Sequence, residues 1–253
     1  MTDVPVFGSG SRLDFNAPLS AERADRFAAD LAARNPTTVL DAGCGWGELL
    51  LRVLAAAPAA RGIGSDVDSG DVVRARTNAA SRGLSERATF VEAPAADHHD
   101  PADVVLSIGA YQAFGTIAEA LAALRARVNP GGRLLFGAEY WEQPPTPERL
   151  AHMWPGMSAD DCTDIAGIVD HATAAGFRPV RIESATRAEW EEFESGFAAE
   201  VEEWLLDHPN HPQAAALRIK VDTSRSIWLR GHRDVMGFAY LTLGVEAAGR
   251  PDR

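Results

Sequence analysis

A doubly wound α/β fold, with a mostly parallel seven-stranded sheet of the Rossmann-like kind, is the architecture this sequence predicts, and three observations predict it. Short β-branched and aliphatic runs alternate with helix-forming stretches five times between residues 20 and 138, the order that builds a parallel sheet. The first run, Thr38-Val39-Leu40-Asp41, leads through Gly43, Gly45 and Gly47 into the apolar run Glu48-Leu49-Leu50-Leu51. That is a strand, a tight turn and a helix start, in which the glycines allow a sharp bend and a closer ligand than any Cβ would permit. The second run closes on Asp66, 19 positions after Gly47, where a carboxylate can accept hydrogen bonds from ribose hydroxyls.

In chain order, residues 1–18 are rich in Gly, Ser and Pro and read as an irregular lead-in. Ser20 is a candidate N-cap for a helix whose apolar face carries Phe27 and Leu31 and which ends by Pro36. The helix after the glycine turn, 48–57, stops at Pro58, and a second strand covers 61–66. A helix over 71–82 and strands over 88–92 and 102–107 follow, the last one buried by its continuous apolar run. Thr116 caps a helix running to 128, and Asn129-Pro130-Gly131-Gly132 reads as a turn into the fifth strand at 133–138. Residues 139–147 read as a proline-rich loop at the carboxyl end of that strand, the edge where open sheets bind ligands.

Beyond it the pattern gives a helix over 160–175 and a strand over 178–183. Trp190, Phe193, Phe197, Val201, Trp204 and Leu205 then fall at helical spacing, with glutamates filling the other face. A second helix over 212–230 and a final strand over 235–243 complete the chain. The reading is one domain, 1–253, with a helical insertion at 186–232 before the last strand, a candidate lid.

Composition narrows the function. The formal net charge is −12, from 24 basic and 36 acidic side chains, which opposes the phosphate neutralisation that nucleic-acid binding requires. Two cysteines, Cys44 and Cys162, provide neither a disulfide framework nor a metal-binding CxxC. The seven histidines show no metal-ligand spacing, and no metal is expected. The start of the chain lacks a basic stretch followed by an apolar core, and no run reaches the length of a membrane span. A cytoplasmic protein with a small-molecule substrate, no nucleic-acid partner and no membrane partner is the expectation; oligomeric state does not follow from these features.

A first strand, glycine turn and helix with an acid closing the second strand suits two adenosine-containing cofactors, dinucleotides and S-adenosylmethionine. The dinucleotide pattern asks for a third glycine at the sixth position, where this chain has Glu48, a carboxylate beside what would be a pyrophosphate. Asp41 also suits an amino acid and a positive sulfonium better than two phosphates. S-adenosylmethionine is therefore the favoured ligand.

On these residues the chain resembles the class I S-adenosylmethionine-dependent methyltransferases of the bacterial small-molecule type. Residues 39–51 resemble their first motif, 64–68 the second, 90–97 the third, 103–109 the fourth, and 129–134 the entry to strand five. The resemblance implies that Asp41, Gly43, Cys44, Gly45 and Gly47 line the methionine end of the cofactor. It further implies that Asp66 holds the ribose, that Val67 packs on adenine, and that Ser107 and Ile108 contribute backbone at the amino group. Pro94 stands where the family often has an adenine-binding acid, which passes that contact to Asp97 or to the backbone around Ala95 and Ala96.

For the acceptor, topology brings Tyr111 and Gln112, just past strand four, and Glu139, Tyr140 and Trp141, just past strand five, to the cofactor edge. Glu139 and Tyr111 are the candidate catalytic residues, with Gln112, Tyr140 and Trp141 as candidate substrate contacts. His98 and His99 are candidate bases or plain loop residues. Methyl transfer to a small molecule by in-line displacement is the expected function; a non-catalytic S-adenosylmethionine-binding regulator and a protein methyltransferase are the alternatives.

Overall fold

The computed structural model describes residues 4–249. Its strands are β1 (Thr38–Ala42), β2 (Arg61–Asp66), β3 (Ala88–Glu92), β4 (Ala102–Ile108), β5 (Val128–Trp141), β6 (Arg178–Ser184) and β7 (Met236–Gly244). They form one seven-stranded sheet in the order β3-β2-β1-β4-β5-β7-β6. The pairings of β1 with β2 and β4, β2 with β3, and β4 with β5 are parallel, and that of β6 with β7 is antiparallel. The helices are α1 (Ala21–Ala32), α2 (Glu48–Ala56), α3 (Ser69–Ser81), α4 (Ile117–Arg125), α5 (Pro147–Leu150), α6 (Ile165–Ala174), α7 (Arg187–Asp207) and α8 (Ala214–Ser226).

The chain divides into two compact units. The sheet unit comprises Ser20–Glu139, Ile165–Ser184 and the segment from Phe238 onward; the helical unit comprises the N-terminal segment through Leu19, Tyr140–Asp164 and Ala185–Gly237.

Within the sheet unit, local signals and burial agree. Ser20 caps α1 by accepting the Arg23 N–H at 3.3 Å, and Phe27 and Leu31 are buried along one face. Thr116 and Glu119 close a capping box on α4. Val104, Val105 and Leu106 of β4 are fully buried, as the run without polar residues requires. At the amino-terminal edge of the sheet, Asp103 fastens three segments. Its carboxylate accepts the Thr37 N–H (2.8 Å), the Thr37 hydroxyl (2.8 Å), the Thr38 N–H (3.2 Å) and the Asn129 side-chain N–H (2.9 Å). Burial raises its pKa, but these donors outweigh burial and hold it at about 2.

β5 departs from the sequence reading at both ends. Residues 129–132 carry turn chemistry, yet Val128 pairs with Ala102 and the register then shifts before Arg133 pairs with Val104. The extra residues are absorbed in that irregularity, where the Gly131 N–H donates to Glu246 O at 3.1 Å. At the other end Glu139, Tyr140 and Trp141 continue the strand instead of opening a loop. The Trp141 N–H donates to Thr163 O at 2.8 Å and the Glu142 N–H to Val235 O at 2.9 Å.

In the helical unit the α7 stripe splits. Val201, Trp204 and Leu205 are buried against Ala214, Leu217 and Val221 of α8, and Val4 and Phe7 of the lead-in join that cluster. Trp190, Phe193 and Phe197 are half-buried and meet one another edge to face. The helix expected to reach residue 230 ends at Ser226 and passes into a π-helix over Ile227–His232, a rare form found frequently at functional sites.

Candidate active site

β1 and β4 lie side by side where the strand order reverses, the place at which open α/β sheets take ligands. The glycine turn leaves β1 there, and each of its glycines has positive φ: 82° at Gly43, 48° at Gly45 and 76° at Gly47. Space demands glycine as well. A Cβ on Gly43 would lie 2.3 Å from Ala110 Cβ, and one on Gly47 would lie 2.5 Å from the Phe90 ring. Ser65 O accepts the N–H groups of both Gly43 and Cys44 at 2.9 Å, so the end of β2 holds the turn in place.

Asp66 is oriented by backbone. One carboxylate oxygen accepts the Gly45 N–H at 2.8 Å and the other the Asp68 N–H at 3.0 Å. Just beyond it the apolar side chain of Val67 is 69% exposed. The Ala93 N–H donates to Asp66 O, which brings in the short 3₁₀ turn Ala95–Asp97, where Ala95 is buried and Ala96 half-buried.

Asp41, at the carboxyl end of β1, is only 4% exposed. Burial first and the nearby Asp66 second raise its pKa to about 8, and no hydrogen bond among the described residues pulls it down. The carboxyl group is therefore largely protonated at neutral pH until a positive group arrives. The hydroxyls of Ser65 and Ser107, one strand to either side, are buried with no hydrogen-bond partner among the described residues. Cys44 lies in the same field: burial, Asp41 and Asp66 all push its thiol up, so it stays protonated and is no nucleophile.

Glu48, whose carboxylate argued against a pyrophosphate, is buried and paired with Arg52 at 2.7 Å and Arg82 at 2.5 Å. Its charge is thus balanced by these two guanidiniums.

Past β4, Tyr111 is half-buried and Gln112 exposed in the 3₁₀ turn Tyr111–Phe114, and Glu139 of β5 is half-buried. Tyr140 and Trp141 fall in the helical unit, and both are packed. Gly237 leaves room for the Tyr140 ring, which a Cβ would approach to 2.5 Å. Trp141 is buried with Met153, Cys162, Val235 and Met236, and its indole N–H donates to Ala159 O at 2.8 Å.

One residue that no sequence signal singles out organises this edge. Arg127 is 6% exposed, donates to His98 O (2.5 Å), Ala123 O (2.7 Å) and Ala96 O (2.7 Å), and lies over the Phe114 ring at 5.2 Å. It ties the turn after β3 to the turn after β4. His99 is engaged by the same guanidinium, at 3.3 Å.

A family model described as a methyltransferase domain matches residues 40–134. Over 228 residues the chain is 27% identical to YjhP, an uncharacterised protein of Escherichia coli, covering 89% of this chain and 92% of that one. The crystal structure of an S-adenosylmethionine-dependent methyltransferase from Geobacter sulfurreducens, solved with S-adenosylhomocysteine, superposes with a TM-score of 0.82 at 25% identity, covering 96% of this chain and 99% of that one. Residues 40–134 thus match a methyltransferase domain, and the chain shares its fold with an S-adenosylmethionine-dependent methyltransferase. The chain also shares 35% identity over 138 residues with the demethylmenaquinone methyltransferase of Thermus thermophilus, 54% of this chain and 60% of that one. Among its described residues no helix is long and apolar enough to cross a membrane.

Proposed function

We propose that the chain is a class I methyltransferase that binds S-adenosylmethionine along the carboxyl edge of β1, β2 and β4 and methylates a small-molecule acceptor. The observation that carries the proposal is Asp41, a buried carboxyl group with a pKa of about 8 and no counter-cation beside it. A zwitterionic, sulfonium-bearing ligand supplies the positive charge that such a group lacks, whereas two phosphates would aggravate the repulsion from Asp66. Asp66, already aligned by the Gly45 and Asp68 N–H groups, is set to accept from ribose hydroxyls. Gly43, Cys44, Gly45 and Gly47 bring backbone to the methionine end. Val67, Ala95 and Ala96 flank the adenine, and Ser107 and Ile108 close the amino end.

When bound, the cofactor supplies a methyl group on a positive sulfur, open to in-line displacement. The protein's part is alignment, exclusion of water and, where the acceptor carries a proton, its removal. Tyr111, Gln112 and Glu139 are the residues we assign to the acceptor side, with Glu139 or Tyr111 taking the proton. Tyr140 and Trp141, the candidate substrate contacts, continue β5 beyond Glu139. The acidic net charge of −12 favours a small metabolite over a nucleic acid.

Incubation with methyl-labelled S-adenosylmethionine and a metabolite extract tests this reading. Label in a small product is the expected result. Label in macromolecules would move the assignment to a protein methyltransferase, and binding without any transfer would make the chain a regulatory binder.

A further inference from the structure

The helical unit holds a buried histidine–carboxylate pair apart from the residues assigned to cofactor and acceptor. His232, 2% exposed at the end of the π-helix, has its Nε2 3.1 Å from Glu194 Oε1. The imidazole is stacked on Trp154 with centroids 5.1 Å apart and tilted against Trp190 at 5.6 Å. Trp190, His232 and Trp228, together with Met236, line a hollow of about 70 Å3. On the water-sized measure this is room for about five heavy atoms.

Charge decides what kind of group fits. The guanidiniums at the rim are committed: Arg187 to Asp234 at 2.5 Å, and Arg233 to Glu191 at 2.7 Å. Glu194 has a side chain only 14% exposed, and His232 is its one charged partner among the described residues. It also lines a second hollow of about 250 Å3 that shares Trp228 as a wall. Glu194 reaches the smaller hollow through His232, and indole rings with a carboxylate nearby attract an organic cation through the ring quadrupole and the charge together.

We propose that this hollow binds the ammonium or methylated ammonium group of a small organic cation, with Trp190 and Trp228 as its walls and the His232–Glu194 pair as its anchor. The site belongs to the helical unit alone, and it stands whether or not its ligand is the methyl acceptor.

Tryptophan fluorescence titration of the full chain tests it with four probes. Dimethylammonium and tetramethylammonium are expected to change the signal saturably, while tert-butanol, a neutral counterpart, and pivalate, an anionic one, bind roughly tenfold more weakly or not at all. Glu194→Gln is expected to weaken dimethylammonium binding by a similar factor without altering the circular dichroism spectrum. Equal affinity for tert-butanol, no saturable change with either ammonium probe, or an unaltered affinity in a folded Glu194→Gln variant would overturn the proposal. If that variant does not fold, the probe series on the unaltered chain decides the matter.

Discussion

Replacing Asp41 with Asn separates stability from binding in opposite directions. In the free protein the carboxyl group titrates at about 8 against an ordinary 3.8, because burial and then Asp66 penalise its charge. The folded chain thus keeps a proton that the unfolded chain loses, and unfolding free energy falls as pH rises from about 4 to 8, then levels off. At about 1.4 kcal/mol per pH unit the full loss is on the order of 5 kcal/mol. Asn cannot ionise, so Asp41→Asn abolishes that slope. Without ligand, the variant should be more stable than the parent at pH 8 and close to it near pH 4. Binding should go the other way. Loss of a charge-assisted contact to the ligand's positive groups costs about 1.5–3 kcal/mol, a factor of roughly 10 to 150 in affinity for S-adenosylmethionine. The parent should also release a proton on binding at pH 7, seen by calorimetry in two buffers of different ionisation enthalpy, and the variant should not. Thermal unfolding across pH, with and without S-adenosylhomocysteine, measures both halves. A variant that is no more stable at pH 8 and binds as tightly as the parent would refute the reasoning.

Asp103→Asn, at the opposite edge of the sheet, should lose about 1–3 kcal/mol, because four donors lose a charged acceptor. In the parent that stability is present above the ordinary pKa of 3.8 and disappears as pH falls toward 2, so acid unfolding of the variant should lack this limb. Gly43→Ala should abolish cofactor binding in equilibrium dialysis, since its Cβ meets Ala110 at 2.3 Å in a conformation with φ of 82°. Cys44, with its thiol held protonated, should resist iodoacetamide at pH 8 in the folded chain and react once the chain is unfolded, as peptide mass mapping will report. If residues 186–232 act as the candidate lid, limited proteolysis within them should slow when S-adenosylhomocysteine is present; equal rates would rule that expectation out.

The parts of the fold that were legible in sequence are those where a local demand and a global one coincide. Gly43, Gly45 and Gly47 need positive φ, and the strand before them and helix after them need the bend, so three residues announce the whole unit. Asp66 was readable because its register relative to that turn is fixed by a βαβ connection of ordinary length. β5 was misjudged at both ends for one reason. Turn propensity at residues 129–132 and proline content after Trp141 are local signals, whereas strand continuation is set by neighbours distant in sequence, Ala102 on one side and Thr163 and Val235 on the other. His232 and Glu194 lie 38 positions apart, and Arg127 meets carbonyls about 30 positions before it. Pairings of that kind leave no periodicity for a reader of sequence to find.

Arg127 has a consequence for how this enzyme can change. A single guanidinium holds the carbonyls of Ala96 and His98 on one flank and the Phe114 ring on the other. On our assignment the first flank belongs to the donor and the second to the acceptor. Rewriting residues 111–114 to admit a new substrate would then slacken the adenine side as well, so variants selected for altered acceptor choice should either keep Phe114 or show weakened affinity for S-adenosylmethionine. The two halves of the reaction would be inherited together.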